Sequence, residues 1–215
     1  MSSHFEIRVC LNEQCGLRYP LMEKHPFGVR CPHCLGETQV VLKRKISEQE
    51  TSNLEETMKG EKMIAVLADN IRSAWNVGSI LRSADGFGFS HAYLCGITPT
   101  PENEAVTKTS LGAEDFVTWS YHKDSVKLAK GLKREGWKVI ALEEDERALP
   151  ISKFSSSQFS SPVALIIGNE VTGVDPELLE LADEIYIIPM RGRKRSFNVA
   201  NAFSIAAYAL VEQGA

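Results

Sequence analysis

Four cysteines near the start of the chain form two short loops, Cys10-x4-Cys15 and Cys31-x2-Cys34, with 15 residues between the pairs. A short Cys loop lets two thiolates from one turn face the same ion, and two such turns complete a tetrahedron of sulfur around zinc. The alternation in Phe5-Glu6-Ile7-Arg8-Val9 and in Thr38-Gln39-Val40-Val41-Leu42 reads as strands feeding the two tips. Cys10, Cys15, Cys31 and Cys34 are therefore the expected ligands of a structural Zn2+, with His25 and His33 as substitutes for one of them. Four thiolates leave no open coordination position, so the ion would hold structure and do no catalysis. A segment this small cannot bury enough surface to fold alone, which gives the ion its purpose. Residues 1–45 carry seven basic and four acidic side chains, a net of +3, which zinc with four thiolates lowers to about +1. Lys43, Arg44 and Lys45 are the one dense basic patch, either a solvated strand end or a contact for RNA or phosphate. The fifth cysteine, Cys95, ends an apolar strand and reads as a small buried residue.

Three later segments set polar residues beside glycine. The first runs from Asn76 through Gly78 and Arg82 to Phe87 and Gly88, with Asn76 as a helix N-cap and Gly78 admitting a close neighbour. The second is Gly168-Asn169-Glu170-Val171-Thr172-Gly173, a tight loop around an acid directly after a buried strand, where open α/β sheets bind ligands. In the third, a strand ends at Ile188-Pro189-Met190, and the basic loop Arg191, Arg193, Lys194 and Arg195 follows. Ser196, Phe197 and Asn198 then open an apolar helix. The G-x-G-x-x-G dinucleotide fingerprint and the P-loop are both absent.

Alternating strands and helices must position these segments. Continuous apolar runs at 63–68, 91–95, 137–142, 163–167 and 184–188 read as buried parallel strands. Helical spacing appears at 77–87, 125–134 and 196–210. Asp175 and Pro176 cap a further short helix that ends at Leu181. Such alternation predicts a mostly parallel sheet with helices on its faces.

The 215 residues allow one ordinary domain and a small appendage. Hydrophobic residues at 43% and charged residues at 24% exclude a disordered, collagen-like or membrane-embedded chain. The 24 basic and 28 acidic residues give a net charge of −4, which argues against a chain that is basic all over. Glu6 and Arg8 interrupt any secretory signal, and no apolar run has the length of a membrane span. A cytoplasmic protein is expected, its paired cysteines holding metal. The polar, acidic stretch 46–62 reads as a linker, so the expected layout is a zinc-ribbon-like module at 1–45, a linker at 46–62 and an α/β domain at 63–215.

In this order the three segments resemble the SpoU (TrmH-type) RNA ribose methyltransferases of the SPOUT superfamily. Asn76-Val-Gly78, Arg82 and Phe87-Gly88 match the family's first pattern. Gly168-Asn-Glu170-Val-Thr-Gly173 matches its second, and Ile188-Pro-Met190-Arg-Gly192 with Ser196-Phe-Asn198-Val199 its third. Thr109–Glu114 also resembles a family segment. Phe197 stands where leucine is usual, Ala200-Asn201 where Ser and an apolar residue are common, and the 191–195 loop is unusually basic.

The resemblance implies an α/β fold whose C-terminal part is threaded into a deep trefoil knot, and a homodimer with no membrane segment. It implies S-adenosylmethionine bound by Leu142, Glu143, Gly168, Asn169, Gly173, Ile188, Met190, Ser196 and Phe197. It also implies methyl transfer to a ribose 2′-hydroxyl of tRNA or rRNA, with Arg82, Asn76, Glu170, Ser196 and Asn198 as catalytic residues. An arginine stays protonated at ordinary pH. Arg82 therefore suits phosphate binding or stabilisation of the developing alkoxide better than proton abstraction. Lys43, Arg44, Lys45, Arg191, Arg193, Lys194 and Arg195 become RNA contacts. A SPOUT enzyme acting on a base nitrogen and a non-catalytic RNA-binding paralogue are the competing readings.

Overall fold

Two compact units, Met1–Lys59 and Gly60–Ala215, make up the chain. The computed structural model describes residues 4–25, 29–46, 63–154 and 161–212. Nearly all of the expected linker and most of the serine-rich stretch at 152–161 lie outside the described residues.

In the smaller unit the alternating apolar residues build an antiparallel sheet of β1 (His4–Cys10), β2 (Arg18–Met22) and β3 (Thr38–Lys45), in the order β2-β1-β3. Phe5 pairs with Met22 and Arg44, and Ile7 with both Pro20 and Leu42, so one face is mostly apolar with Arg44 at its end. On the other face Arg8 is buried, with Nη1 on Glu6 at 2.6 Å and Nε on the Thr38 hydroxyl at 2.9 Å. A bulge between Ile7 and Arg8 leaves Val41 without a partner and shifts the rest of the ladder.

The larger unit is built on a seven-stranded parallel sheet. Its strands are β4 (Ile64–Asp69), β5 (His91–Cys95), β6 (Thr118–His122), β7 (Lys138–Leu142), β8 (Leu149–Pro150), β9 (Val163–Ile167) and β10 (Glu184–Ile187). They lie in the order β6-β5-β4-β9-β7-β10-β8. β9 is buried at every position because neighbouring strands and helices cover both of its faces. Alternate residues feed two cores. Val66, Leu165 and Ile167 pack with α1 (Ala74–Gly86) and α5 (Val199–Glu212), whereas Leu67, Ala164 and Ile166 pack with α3 (Ser125–Arg134) and α4 (Pro176–Leu181). No helix among the described residues is long and apolar enough to cross a membrane.

Several boundaries differ from expectation for local reasons. The first helix starts at Ala74, not at Val77, because Ser73 is its N-cap and accepts the Asn76 N–H. Asn76 is thus not the cap but a first-turn residue with its amide free for other work. The last helix starts at Val199, and Asn198 accepts from the N–H groups of Ala200 and Asn201. Gly78 does admit a close neighbour: a Cβ there would lie 2.0 Å from the Thr109 hydroxyl on α2 (Glu104–Ser110). Three elements gave no periodic signal. α2 buries only Val106 and Ser110, β6 is a half-exposed edge strand, and β8 has two residues.

Candidate active site and metal centre

In the larger unit the carboxyl ends of β7, β9 and β10 meet the start of α5 around a cleft of about 340 Å³. The end of β7 supplies Leu142 and Glu143. The loop after β9 supplies Gly168, Asn169, Glu170 and Gly173. The passage from β10 to α5 supplies Ile188, Met190, Ser196, Phe197 and Asn198. All nine residues expected at the cofactor therefore line one cavity, although they come from three stretches of sequence.

The walls hold each other in place. Gly168 must be glycine, since a Cβ would come within 2.2 Å of the Val174 nitrogen. Asn169 and Gly173 exchange backbone hydrogen bonds of 3.0 and 2.9 Å, which closes the loop. The Asn169 side chain is engaged at both ends: it accepts from Val171 and Thr172 N–H and donates to the Asn70 carbonyl. Glu143 accepts from Val174 N–H at 2.9 Å, pinning the loop after β9 to the end of β7. Asn169 and Glu143 thus shape the cleft by fixing backbone.

Beside the cleft runs a polar chain that joins residues 94 and 122 positions apart. Asn198 Nδ2 donates to Asn76 Oδ1 at 3.0 Å, and Asn76 Nδ2 donates to Glu170 Oε1 at 2.8 Å. Glu170 also accepts the N–H groups of Ser73 at 3.0 Å and Arg72 at 2.8 Å, just ahead of α1. An ionised carboxylate only accepts, so it orients the Asn76 amide, whose oxygen is left facing Asn198. Burial pushes the Glu170 carboxyl up, but the Arg72 N–H and the Asn76 amide outweigh it and hold the group below its usual range. Arg82 lies farther along α1 with its side chain exposed and is not among the residues lining the cleft.

The smaller unit brings its four cysteines together. The Sγ atoms of Cys10, Cys15, Cys31 and Cys34 all lie within 4.8 Å of one another. Cys10 faces Cys34 at 3.4 Å and Cys15 faces Cys31 at 3.8 Å, so each close pair takes one sulfur from each loop. These separations are far beyond a disulfide bond. They approach the edge of about 3.8 Å that a tetrahedron of 2.3 Å zinc–sulfur bonds requires. The donor set therefore fits a closed structural zinc. The His33 ring lies outside this set, with Nδ1 at 3.5 Å from Cys15 Sγ.

The family model described as the SpoU rRNA Methylase family matches residues 63–208. The chain belongs to this family. The tRNA (guanosine(18)-2'-O)-methyltransferase of Thermus thermophilus is 31% identical over 165 residues, 75% of this chain and 81% of that protein. Among solved structures, the A. aeolicus TrmH/SpoU tRNA modifying enzyme superposes with a TM-score of 0.62 at 28% identity, covering 71% of this chain and 76% of that one. The AdoMet-bound rRNA methyltransferase from Sinorhizobium meliloti superposes with a TM-score of 0.65 at 26% identity, covering 75% and 60%.

The SpoU match begins after the cysteine unit, so that unit lies outside the matched residues. Within the SpoU domain the loop 191–195 is exposed throughout, and among the described residues no acid pairs with Arg191, Arg193, Lys194 or Arg195. Arg195 also lines the cleft. In the cysteine unit, by contrast, Lys43 is engaged with Glu23 at 2.6 Å, which leaves Arg44 and Lys45 as the open part of that patch. Sequence reasoning missed Glu144, Ile167, Val171, Ile187, Val199 and Ala202 in the lining. It also missed Asp69, which lies outside that lining, buried at the end of β4, and accepts from the Ser125 hydroxyl, the Asn70 amide and the Asp175 N–H. A charged residue closing an otherwise apolar strand was the available signal.

Proposed function

We propose that this chain transfers the methyl group of S-adenosylmethionine to a ribose 2′-hydroxyl of tRNA or rRNA. The observation that carries the reading is the Asn198–Asn76–Glu170 chain at the rim of a cleft whose other walls are the family's second and third patterns. S-adenosylmethionine, when bound, supplies a methyl group on a cationic sulfonium. Leu142, Ile188, Met190 and Phe197 offer apolar surface for it, and the loop at Gly168 offers backbone groups. Glu170 places its negative charge at the same rim. Asn76 and Asn198, fixed by Glu170, orient the acceptor ribose by hydrogen bonds, and Ser196 contributes a hydroxyl beside them. Most of the acceleration comes from that alignment. Arg82, always charged, cannot take the hydroxyl proton, which leaves to water as the oxygen–methyl bond forms and the sulfur–methyl bond breaks to release S-adenosylhomocysteine. It stabilises the negative charge that develops on the oxygen, or holds the neighbouring phosphate. Its place on α1, about 9 Å along the axis from Asn76, is within an arginine's reach of such a phosphate.

The same reading assigns residues 1–45 to a zinc-ribbon-like module with a structural Zn2+, 46–62 to a linker and 63–215 to the catalytic domain. It takes the segment from β9 to α5 as a trefoil knot, which β9 supports by lying between β4 and β7 in the sheet. It takes the protein as a cytoplasmic homodimer, and exposed Ile205 and Tyr208 on α5 offer apolar surface for the contact. Arg44 and Lys45, with Lys43 held by Glu23 beside them, and the 191–195 cations contact RNA phosphates, so a chain of net charge −4 binds RNA through local charge.

The test is to label RNA with methyl-labelled S-adenosylmethionine and digest it to nucleosides. Label in 2′-O-methylnucleosides is expected; label in methylated bases would move the acceptor to a ring nitrogen. Arg82→Ala is expected to lower transfer by about 100- to 1,000-fold, the cost of losing one transition-state charge contact. Calorimetry should show its S-adenosylmethionine affinity nearly unchanged.

A further inference from the structure

Trp75 is 59% exposed in the first turn of α1, next to Asn76. A tryptophan is an expensive side chain to leave in water, and nothing in the reaction proposed above uses it. It does not line the cleft. The buried side of α1 is Val77, Ile80, Leu81 and Ala84, so Trp75 is on the side facing away from the core. Positions three and seven residues away on a helix share a face. Arg82 follows Trp75 by seven and shares its face of the helix, whereas Arg72 lies outside the helix, one residue before the Ser73 cap and three before Trp75. Both arginines are exposed, and among the described residues neither has an acid as ion-pair partner. The nearby Glu170 carboxylate is already taken by the Arg72 and Ser73 N–H groups and the Asn76 amide. Between the two cations, Ser79 turns its hydroxyl back to the Trp75 carbonyl and adds no bulk beside the ring.

We propose that Arg72, Trp75 and Arg82 form a platform for an unpaired nucleotide of the RNA, with Trp75 stacked on its base and the arginines on the flanking phosphates. This rests on the RNA methyl-transfer reading and deepens it. An aromatic ring bracketed by cations matches the alternation of base and phosphate along a single strand. The platform also constrains the substrate. A base can lie on Trp75 only when it is out of its helical stack, so the nucleotide held there belongs to a loop, bulge or end of the RNA, not to a continuous duplex.

The experiment uses full-length protein with a mixed-sequence 12-nucleotide RNA, single-stranded or annealed to its complement. Single-stranded RNA is expected to quench tryptophan fluorescence in the native protein and to bind more tightly than the duplex. In Trp75→Phe the quenching is lost, while half-buried Trp119 and Trp137 still report a folded domain. Trp75→Ala weakens single-strand binding at least about fivefold, the lower end of base–aromatic stacking, and Trp75→Phe restores most of it. Single-strand affinity of Trp75→Ala equal to native, or native affinity equal for strand and duplex, overturns the platform. A fall in sedimentation coefficient for Trp75→Ala also overturns it, by assigning the face to a second copy. The two readings fail differently. Native protein that neither binds S-adenosylmethionine nor labels bulk tRNA or rRNA defeats the function. Native protein that does both, with Trp75→Ala unaffected, defeats only the platform.

Discussion

The two units solve the problem of staying folded by different means. In the larger one, two layers of apolar side chains lie on either side of a parallel sheet, and residues such as Leu67, Leu165 and Ile166 are fully buried. In the smaller one, the buried side chains among the described residues are Arg8, Cys10 and Cys31, and seven of the eight residues of β3 are exposed. Hydrophobic burial can hold the first, whereas the second has almost none to draw on. Its four converging sulfurs fit a structural ion, and the proposed zinc would supply that stability. The difference teaches that the cysteine unit should respond to metal and the SpoU domain to core volume, each without the other.

The largest expected effect breaks the contrast at the metal. One zinc per chain should appear by elemental analysis, and Cys31→Ser or a strong chelator should unfold β1–β3. Structural zinc contributes about 10–16 kcal/mol in small thiolate-rich modules. S-adenosylmethionine affinity should survive, and amide signals of β1–β3 that persist without zinc would remove the contrast. Next in size, Ile166→Ala should destabilise the SpoU domain by about 2–5 kcal/mol in urea unfolding while leaving zinc content unchanged.

A smaller effect sharpens the division of RNA binding. Replacing Arg193, Lys194 and Arg195 with glutamine should flatten the dependence of log affinity on log salt by about 2, at roughly 0.7 per cation on single-stranded RNA. An unchanged slope would assign the phosphate contacts to Arg44, Lys45 and the smaller unit. The smallest effect concerns Glu170. Its folded pKa lies below its ordinary value, so its contribution is present above that ordinary value and is lost as pH falls through the lowered one. Glu170→Gln should therefore lower stability by about 1 kcal/mol at neutral pH. The gap in melting temperature from the native protein should close on acidification.

Much of this architecture is legible in local pattern. β9 and α3 fall on the expected residues, and Asp175 and Pro176 start α4 as their types require. α2 and β6 escaped because a short helix with two buried positions and a mixed edge strand carry no clear period. The site shows the same divide. Gly168 and its loop announce a tight turn, but the work of Asn76 is invisible locally. As a residue near a helix start it reads as a cap, yet Ser73 caps the helix and the Asn76 amide spans two chain segments.

The sequence by itself determined the four thiolates at knuckle spacing, the alternation that makes a parallel sheet, and the three segments that mark the SpoU domain. Each of these rests on residue type and short-range spacing, which the backbone turns into geometry within a few residues. Only the tertiary structure decided that Glu170 orients Asn76, that Lys43 is held by Glu23 while Arg195 borders the cleft, and that Trp75 is left exposed. Those facts depend on which distant strands become neighbours. That is a property of the whole packed sheet, and no local stretch of residues encodes it.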